Sequence, residues 1–184
     1  MGSAIMSDEI FSVDYIEKLP ESERAELVDG DIRMMSSPSR THQKILTKLT
    51  VLIQNYIDSN LGKCEVYPAP FGVYIYNDDY NYFEPDISVI CDTDKLDEKG
   101  CHGAPDWIIE IVSQSTKKMD YMTKLFKYQN AGVREYWIVD PITSEITVYD
   151  FENENVEKYT FGDKVKSSIY DSLEIDFAEI KKYL

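Results

Sequence analysis

Residues 107–112 read Trp107-Ile108-Ile109-Glu110-Ile111-Val112, an apolar run that carries one carboxylate. Such a run predicts a strand buried on at least one face. An ionised acid in that setting is costly unless it is paired, hydrogen-bonded or metal-bound, so Glu110 requires a partner. Upstream, Asp86-Ile87-Ser88-Val89-Ile90 is a similar run opened by an acid, and Pro85 fixes the backbone just before it. Strand ends beside irregular loops are common places for site residues to project from a rigid sheet. Two acids on neighbouring strands suggest a hard-cation site.

Outward from these two strands, the pattern predicts a mixed α/β chain. Ser12 can cap a short helix over residues 13–19, stopped by Pro20. Residues 26–28 and 31–35 flank Asp29-Gly30, the two-residue signature of a tight hairpin. Residues 41–61 place Ile45, Leu49, Leu52, Ile53, Tyr56 and Ile57 on one helical stripe, with Gly62 as the stop. Strand-like runs follow at 64–76, broken at Pro68 to Pro70, then at 86–91 and 106–112, with loops over 77–82 and 92–103. Residues 116–130 predict a second helix whose buried stripe is Tyr121, Met122, Leu125, Phe126 and Gln129, ended by Gly132. A strand at 135–139, a meander of 145–150 with 156–161, and a helical turn at 177–184 complete one domain over residues 1–184.

The 184 residues, 43% hydrophobic and 12% aromatic, suffice for a full core. No stretch approaches a membrane span, and residues 1–9 are too polar for a signal-peptide core, so the expected location is cytoplasmic. Cys64, Cys91 and Cys101 are odd in number and lack CxxC spacing, which reads as reduced thiols. A net charge of -15 argues against a nucleic-acid binder that relies on a generally basic surface. The charge is uneven, however. Residues 113–134 hold Lys117, Lys118, Lys124, Lys127 and Arg134 against Asp120, a +4 segment in a -19 remainder, while residues 76–98 hold eight acids against Lys95.

The order from residue 41 to 140 is helix, three strands, helix, strand. Pro85-Asp86, Glu110, Ser113-Gln114-Ser115-Thr116, Asp120, Lys124 and the run Ala131-Gly132-Val133-Arg134-Glu135-Tyr136-Trp137-Ile138-Val139-Asp140-Pro141 fall along it. Together they resemble the Uma-type family of restriction-endonuclease-like proteins, within the PD-(D/E)XK nuclease superfamily. The resemblance runs over roughly residues 26–141 and includes Glu26-Leu27-Val28-Asp29-Gly30 and the Ser-x-x-His segment Ser39 to His42. It implies a restriction-endonuclease-like mixed sheet core with an added N-terminal hairpin and C-terminal meander. It also implies a homodimer and a metal-dependent DNA endonuclease. The superfamily signature has Lys two residues after the second acid, where this chain has Val112; in the Uma-type pattern the following helix supplies the base, and Lys124 stands there.

In that reading Asp86 and Glu110, with the Ile111 carbonyl and waters, bind Mg2+ or Mn2+, which prefer carboxylate oxygens. The cation polarises a phosphate and acidifies a bound water. Lys124 orients that water or stabilises charge in the transition state. The resemblance adds Glu26, His42 and Gln114 to the site, and Lys117, Lys118 and Lys127 are candidates for substrate phosphates. Each residue also has a plainer reading. Asp86 can cap a turn, Glu110 can be a structural acid, and Asp120 with Lys124 can be an exposed i, i+4 ion pair. His42 can be a surface histidine, Glu26 an ordinary hairpin residue, and Lys117, Lys118 and Lys127 a solvated face. Trp107, Tyr136 and Trp137 read most simply as core aromatics. Two other functions fit the same residues: a catalytically inactive nuclease-like interaction module, and a hydrolase of a small phosphorylated molecule.

Overall fold

The computed structural model describes residues 9–20, 22–114 and 116–184, so the reading of residues 1–9 falls, but for Glu9, outside it. A one-turn helix α1 (Val13–Ile16) precedes the hairpin of β1 (Ala25–Val28) and β2 (Asp31–Met34). Asp29 and Gly30 both take positive φ, 51° and 85°, as a two-residue turn between twisted strands requires. Helix α2 (Arg40–Ser59) starts on Ser39, whose hydroxyl accepts from the His42 N–H, and it buries Ile45, Leu46, Leu49, Ile53 and Ile57. Leu52, expected on that stripe, is exposed; it sits about 100° around the helix from Ile53, and Leu46 faces inward instead.

Strands β3 (Glu65–Pro68), β4 (Gly72–Tyr74), β5 (Ile87–Ile90), β6 (Leu96–Asp97), β7 (Gly100–His102) and β8 (Trp107–Ile111) follow. A π-helical turn, Met119–Lys124, runs directly into α3 (Leu125–Ala131), which Gly132 closes at φ 92°. The chain ends through β9 (Glu135–Asp140), β10 (Glu145–Asp150), β11 (Asn155–Thr160), β12 (Lys164–Lys166), β13 (Glu174–Asp176) and α4 (Phe177–Lys181). The main sheet has the order β11-β10-β9-β8-β5-β3. Its neighbours are antiparallel except β8 and β9, whose parallel pairing needs the crossover that the π-turn and α3 provide.

Period-two alternation along β8 sorts the core into two layers. Trp107, Ile109 and Ile111 pack with Ile45, Leu49 and Ile53 of α2 and with Phe177 of α4. Ile108 and Val112 pack on the opposite face with Tyr128 of α3 and with Tyr136. Glu110 belongs to this second face, towards α3. The expected core aromatics Trp107, Tyr136 and Trp137 are fully buried.

Three expectations are corrected. The second helix turns Met122 and Phe126 to solvent, 61% and 64% exposed, and buries Asp120, Lys124 and Tyr128, spaced four apart. The acidic stretch over residues 92–103 is not loop throughout, since β6 pairs with β7 and β7 with β4 in a three-stranded sheet. Cys64 and Cys91 are joined as a disulfide, and Cys101 alone is free and buried. The physical reason is register: Glu65 pairs with Ile90, so Cys64 and Cys91 stand opposite each other one step further along. The short β12 and β13 hairpin was not expected at all.

Candidate active site

The faces of β1, β2, α2, β5, β8 and the π-turn enclose a cleft of about 550 Å³. Glu26, His42, Asp86, Glu110, Asp120 and Lys124 all line it. Glu110 is brought there by its place on the α3 face of β8, where its Oε1 accepts from Lys124 Nζ (2.8 Å) and from Tyr128 Oη (2.9 Å). Lys124 and Tyr128 lie one turn apart on the same helical face, which is why both reach one carboxylate oxygen. Val112 lies on this face too and is packed into the core. The cation beside Glu110 comes from the π-turn, as Lys124, and not from β8.

Lys124 Nζ also donates to Glu26 Oε1 (2.8 Å) and lies 3.9 Å from Asp120 Oδ1. Asp86, just before β5, accepts the Ile111 N–H on Oδ2 (2.7 Å), which ties it to the strand position next to Glu110. His42 Nε2, from the first turn of α2, lies 3.1 Å from the same oxygen. Glu26 Oε1 accepts from the Glu84 N–H (3.1 Å), and Glu84 in turn holds Arg24 (2.6 Å). Asp120 was read as half of an exposed ion pair; it is 2% exposed and its Oδ1 makes no hydrogen bond. Glu84, Arg24 and Tyr128 are the neighbours that sequence reasoning missed. The four-residue spacing of Asp120, Lys124 and Tyr128 signalled the last of them, and nothing local signalled Glu84 and Arg24.

The cluster holds more acid than base. Burial pushes the Glu110 carboxyl well up; Lys124 counters this in part, while Asp86, Asp120 and Glu26 push it further. Burial alone would lower Lys124, yet Glu110, Glu26 and Asp120 together hold its ammonium charged, above the ordinary lysine value. Burial pushes Asp120 up to about 6, against Lys124 and a hydrogen bond from Thr116. Because this lies above the ordinary 3.8, the folded state binds the proton more tightly. The associated stability is complete below about pH 4 and is lost as pH rises through about 6. Asp120→Asn is therefore expected to gain stability over wild type between about pH 4 and pH 8, by roughly 1–3 kcal/mol. Urea unfolding at both pH values checks this, and an equal difference at the two would show that Asp120 titrates like a surface acid.

The donor chemistry suits a hard cation. Carboxylate oxygens predominate, net negative charge remains after Lys124 is counted, and Asp120 Oδ1 and His42 Nδ1 are buried without hydrogen-bond partners. Among the described residues no three His, Cys, Asp or Glu side chains converge as a ready ligand set. Asp86 and Glu110 both line the cleft, and Asp86 is tied to Ile111, the strand position next to Glu110; Mg2+ favours oxygen ligands of this kind.

The other candidates stand elsewhere. Gln114 is exposed and does not line the cleft. Lys117 donates to the buried Asp140 (2.9 Å), Lys127 pairs with Asp29, and Arg134 is shared between Asp106 and Glu152. Lys118 is exposed. None of Lys117, Lys118 and Lys127 lines the cleft. The +4 segment is thus largely consumed by ion pairs within the fold.

A six-stranded mixed sheet between α2 and α3, with acids on β8 and at the start of β5, defines a protein of the restriction-endonuclease-like class. The chain belongs to the Uma2 family, described as "Putative restriction endonuclease", whose model matches residues 13–178. It is 31% identical over 130 residues to an uncharacterized protein of Synechocystis sp., which covers 70% of this chain and 67% of that protein. It also matches the crystal structure of "a putative nuclease belonging to DUF820" from Anabaena variabilis, with a TM-score of 0.76 and 21% identity, over 94% of this chain and 98% of that one. At that identity the likeness speaks for the fold, and the resemblance carried by residues 131–141 holds for family and fold alike. Among the described residues no helix is long and apolar enough to cross a membrane.

Proposed function

We propose that the chain is a metal-dependent phosphodiesterase acting on DNA as an endonuclease. The observation that supports this most is the convergence of Glu26, Glu110 and Asp120 on Lys124 inside one open cleft that Asp86 also lines. Asp86 and Glu110, with the Ile111 carbonyl, are the residues that would hold Mg2+ or Mn2+. When bound, such an ion supplies polarisation of a phosphate oxygen and a water acidic enough to ionise near neutral pH.

The chain's own groups do the rest. Lys124 and Tyr128 hold Oε1 of Glu110 and so fix its carboxylate at the wall of the cleft. Lys124 also places a fixed positive charge beside the reacting phosphate, where a preorganised cation favours the extra charge of the transition state. His42 fixes the orientation of Asp86 through Nε2. Cutting both strands of a duplex calls for two such sites, and we infer a homodimer.

The test is a nuclease screen over single-stranded, duplex and branched DNA and over RNA, with Mg2+ and Mn2+ in parallel. Cleavage of DNA that requires the cation and stops with chelator is the expected result. Hydrolysis of small phosphate esters alone would move the substrate to a phosphorylated metabolite. Inactivity on every substrate, with the protein folded, would favour an interaction module.

A further inference from the structure

The hairpin wall of the cleft carries two arginines. Glu26 pairs with Arg33 across β1 and β2, and the Met35 N–H donates to the Arg24 carbonyl (2.8 Å), extending the ladder by one step. Directly opposed residues and their second neighbours share a face, so Arg24, Glu26 and Arg33 lie on one side of the hairpin. Glu26 reaches Lys124 from that side, and both arginines line the cleft. Arg24 is held in place by Glu84 Oε2 (2.6 Å from Nε). Arg33 is exposed, and among the described residues no carboxylate stands within ion-pair distance of it. The lysines on the helical side are differently placed: Lys117 and Lys127 are engaged by Asp140 and Asp29 and point away from the cleft.

We propose that Arg33 and Arg24 hold the phosphates of the substrate backbone, so that a nucleic-acid strand enters along the β1–β2 hairpin and not along the lysines of the π-turn and α3. This deepens, and rests on, the phosphodiesterase reading. A polyanion approaching Glu26, Asp86, Glu110 and Asp120 meets repulsion unless cations stand at the rim, and two guanidinium groups on the facing wall supply them. The planar fork of Arg33 matches phosphate oxygens in pairs, which a lysine cannot do, while Arg24, ion-paired with Glu84 but lining the cleft, adds its remaining N–H donors. The anchored Arg24 gives register, and the free Arg33 closes on the next phosphate.

The experiment measures the affinity of the full chain for a fluorescent DNA duplex by anisotropy, with Ca2+ in place of Mg2+ to suppress cleavage, over a series of salt concentrations. Arg33→Gln is expected to weaken binding about five- to tenfold and to lower the log-log salt slope by about one, the signature of one lost phosphate contact. Arg24→Gln is expected to do at least as much. The charge-matched control Lys158→Gln, exposed on β11, should stay within about twofold of wild type. Arg33 is exposed on β2, and an unchanged melting temperature for Arg33→Gln confirms that binding alone is being read. Equal affinity and slope for wild type and both arginine variants overturns the assignment while leaving the phosphodiesterase reading standing. So does a loss on Lys118→Gln with none on Arg33→Gln, which puts the strand on the helical side. A wild-type protein that takes up Mn2+ but binds no duplex overturns both the assignment and the choice of DNA as substrate.

Discussion

Lys124→Met is expected to melt roughly 10 °C below wild type at pH 8, a loss of about 3–5 kcal/mol in a chain of this size. The lysine is 4% exposed and is the one cation bonded to Glu26 and Glu110 among the described residues, with Asp120 3.9 Å away. Removing it leaves three buried carboxyl groups facing each other without a counter-charge. The sign of the pH dependence follows from the same groups. Glu110 is already held well above its ordinary value, and Asp120 lies at about 6. As pH falls through about 6 Asp120 takes up a proton and needs the ammonium less, so the deficit of the variant should shrink on acidification and grow towards alkaline pH. Differential scanning calorimetry at about pH 5 and pH 8 reads both numbers. A variant that melts with wild type at both pH values would mean that the lysine is not the centre of the cluster.

The second large effect concerns the two acids. Asp86→Asn and Glu110→Gln are each expected to lower DNA cleavage in Mg2+ by about a thousandfold or more, since each removes one of two carboxylates from a site where charge stabilisation dominates the chemistry. Their effects on stability should differ from each other. Asp86 is partly exposed and keeps its Ile111 contact as the amide, whose Oδ1 still accepts from that N–H. Glu110→Gln removes one of the mutually repelling buried carboxylates, so that variant should lose little stability while losing activity. Retention of more than a tenth of wild-type cleavage by either variant would remove that residue from the machinery.

How much of this site is legible in the sequence depends on which physical signal each residue leaves. Glu110 is conspicuous because a charge inside Trp107-Ile108-Ile109 and Ile111-Val112 has no inexpensive explanation, and the structure gives it two hydrogen-bond donors. Asp29-Gly30 specifies its hairpin because both residues tolerate positive φ. The second helix was misread for an equally physical reason. Hydrophobicity alone selects Met122 and Phe126 as the inward face, whereas the wall of the cleft is built from Asp120, Lys124 and Tyr128, whose polar groups satisfy one another once buried. The π-turn adds to the error, because i to i+5 bonding changes the phase on which a 3.6-residue stripe is drawn. Charge density was legible but pairing was not. The segment 113–134 is basic as counted, yet Asp140, Asp29, Asp106 and Glu152, all distant in sequence, take up three of its cations. The disulfide was invisible for the same reason, since only the register of β3 on β5 brings Cys64 against Cys91.

Titration of Mn2+ followed by its electron paramagnetic resonance signal tests most directly whether Asp86 and Glu110 together hold a divalent cation. Wild-type protein at neutral pH is expected to bind about one Mn2+ per chain in competition with Mg2+, with an affinity that falls on acidification as carboxylates take up protons. Asp86→Asn and Glu110→Gln should each weaken that binding by more than about tenfold, a loss of at least about 1.4 kcal/mol. Stoichiometric Mn2+ binding with the same affinity in wild type and in both variants would contradict the account, as would a folded wild-type protein that binds no Mn2+ at millimolar concentration.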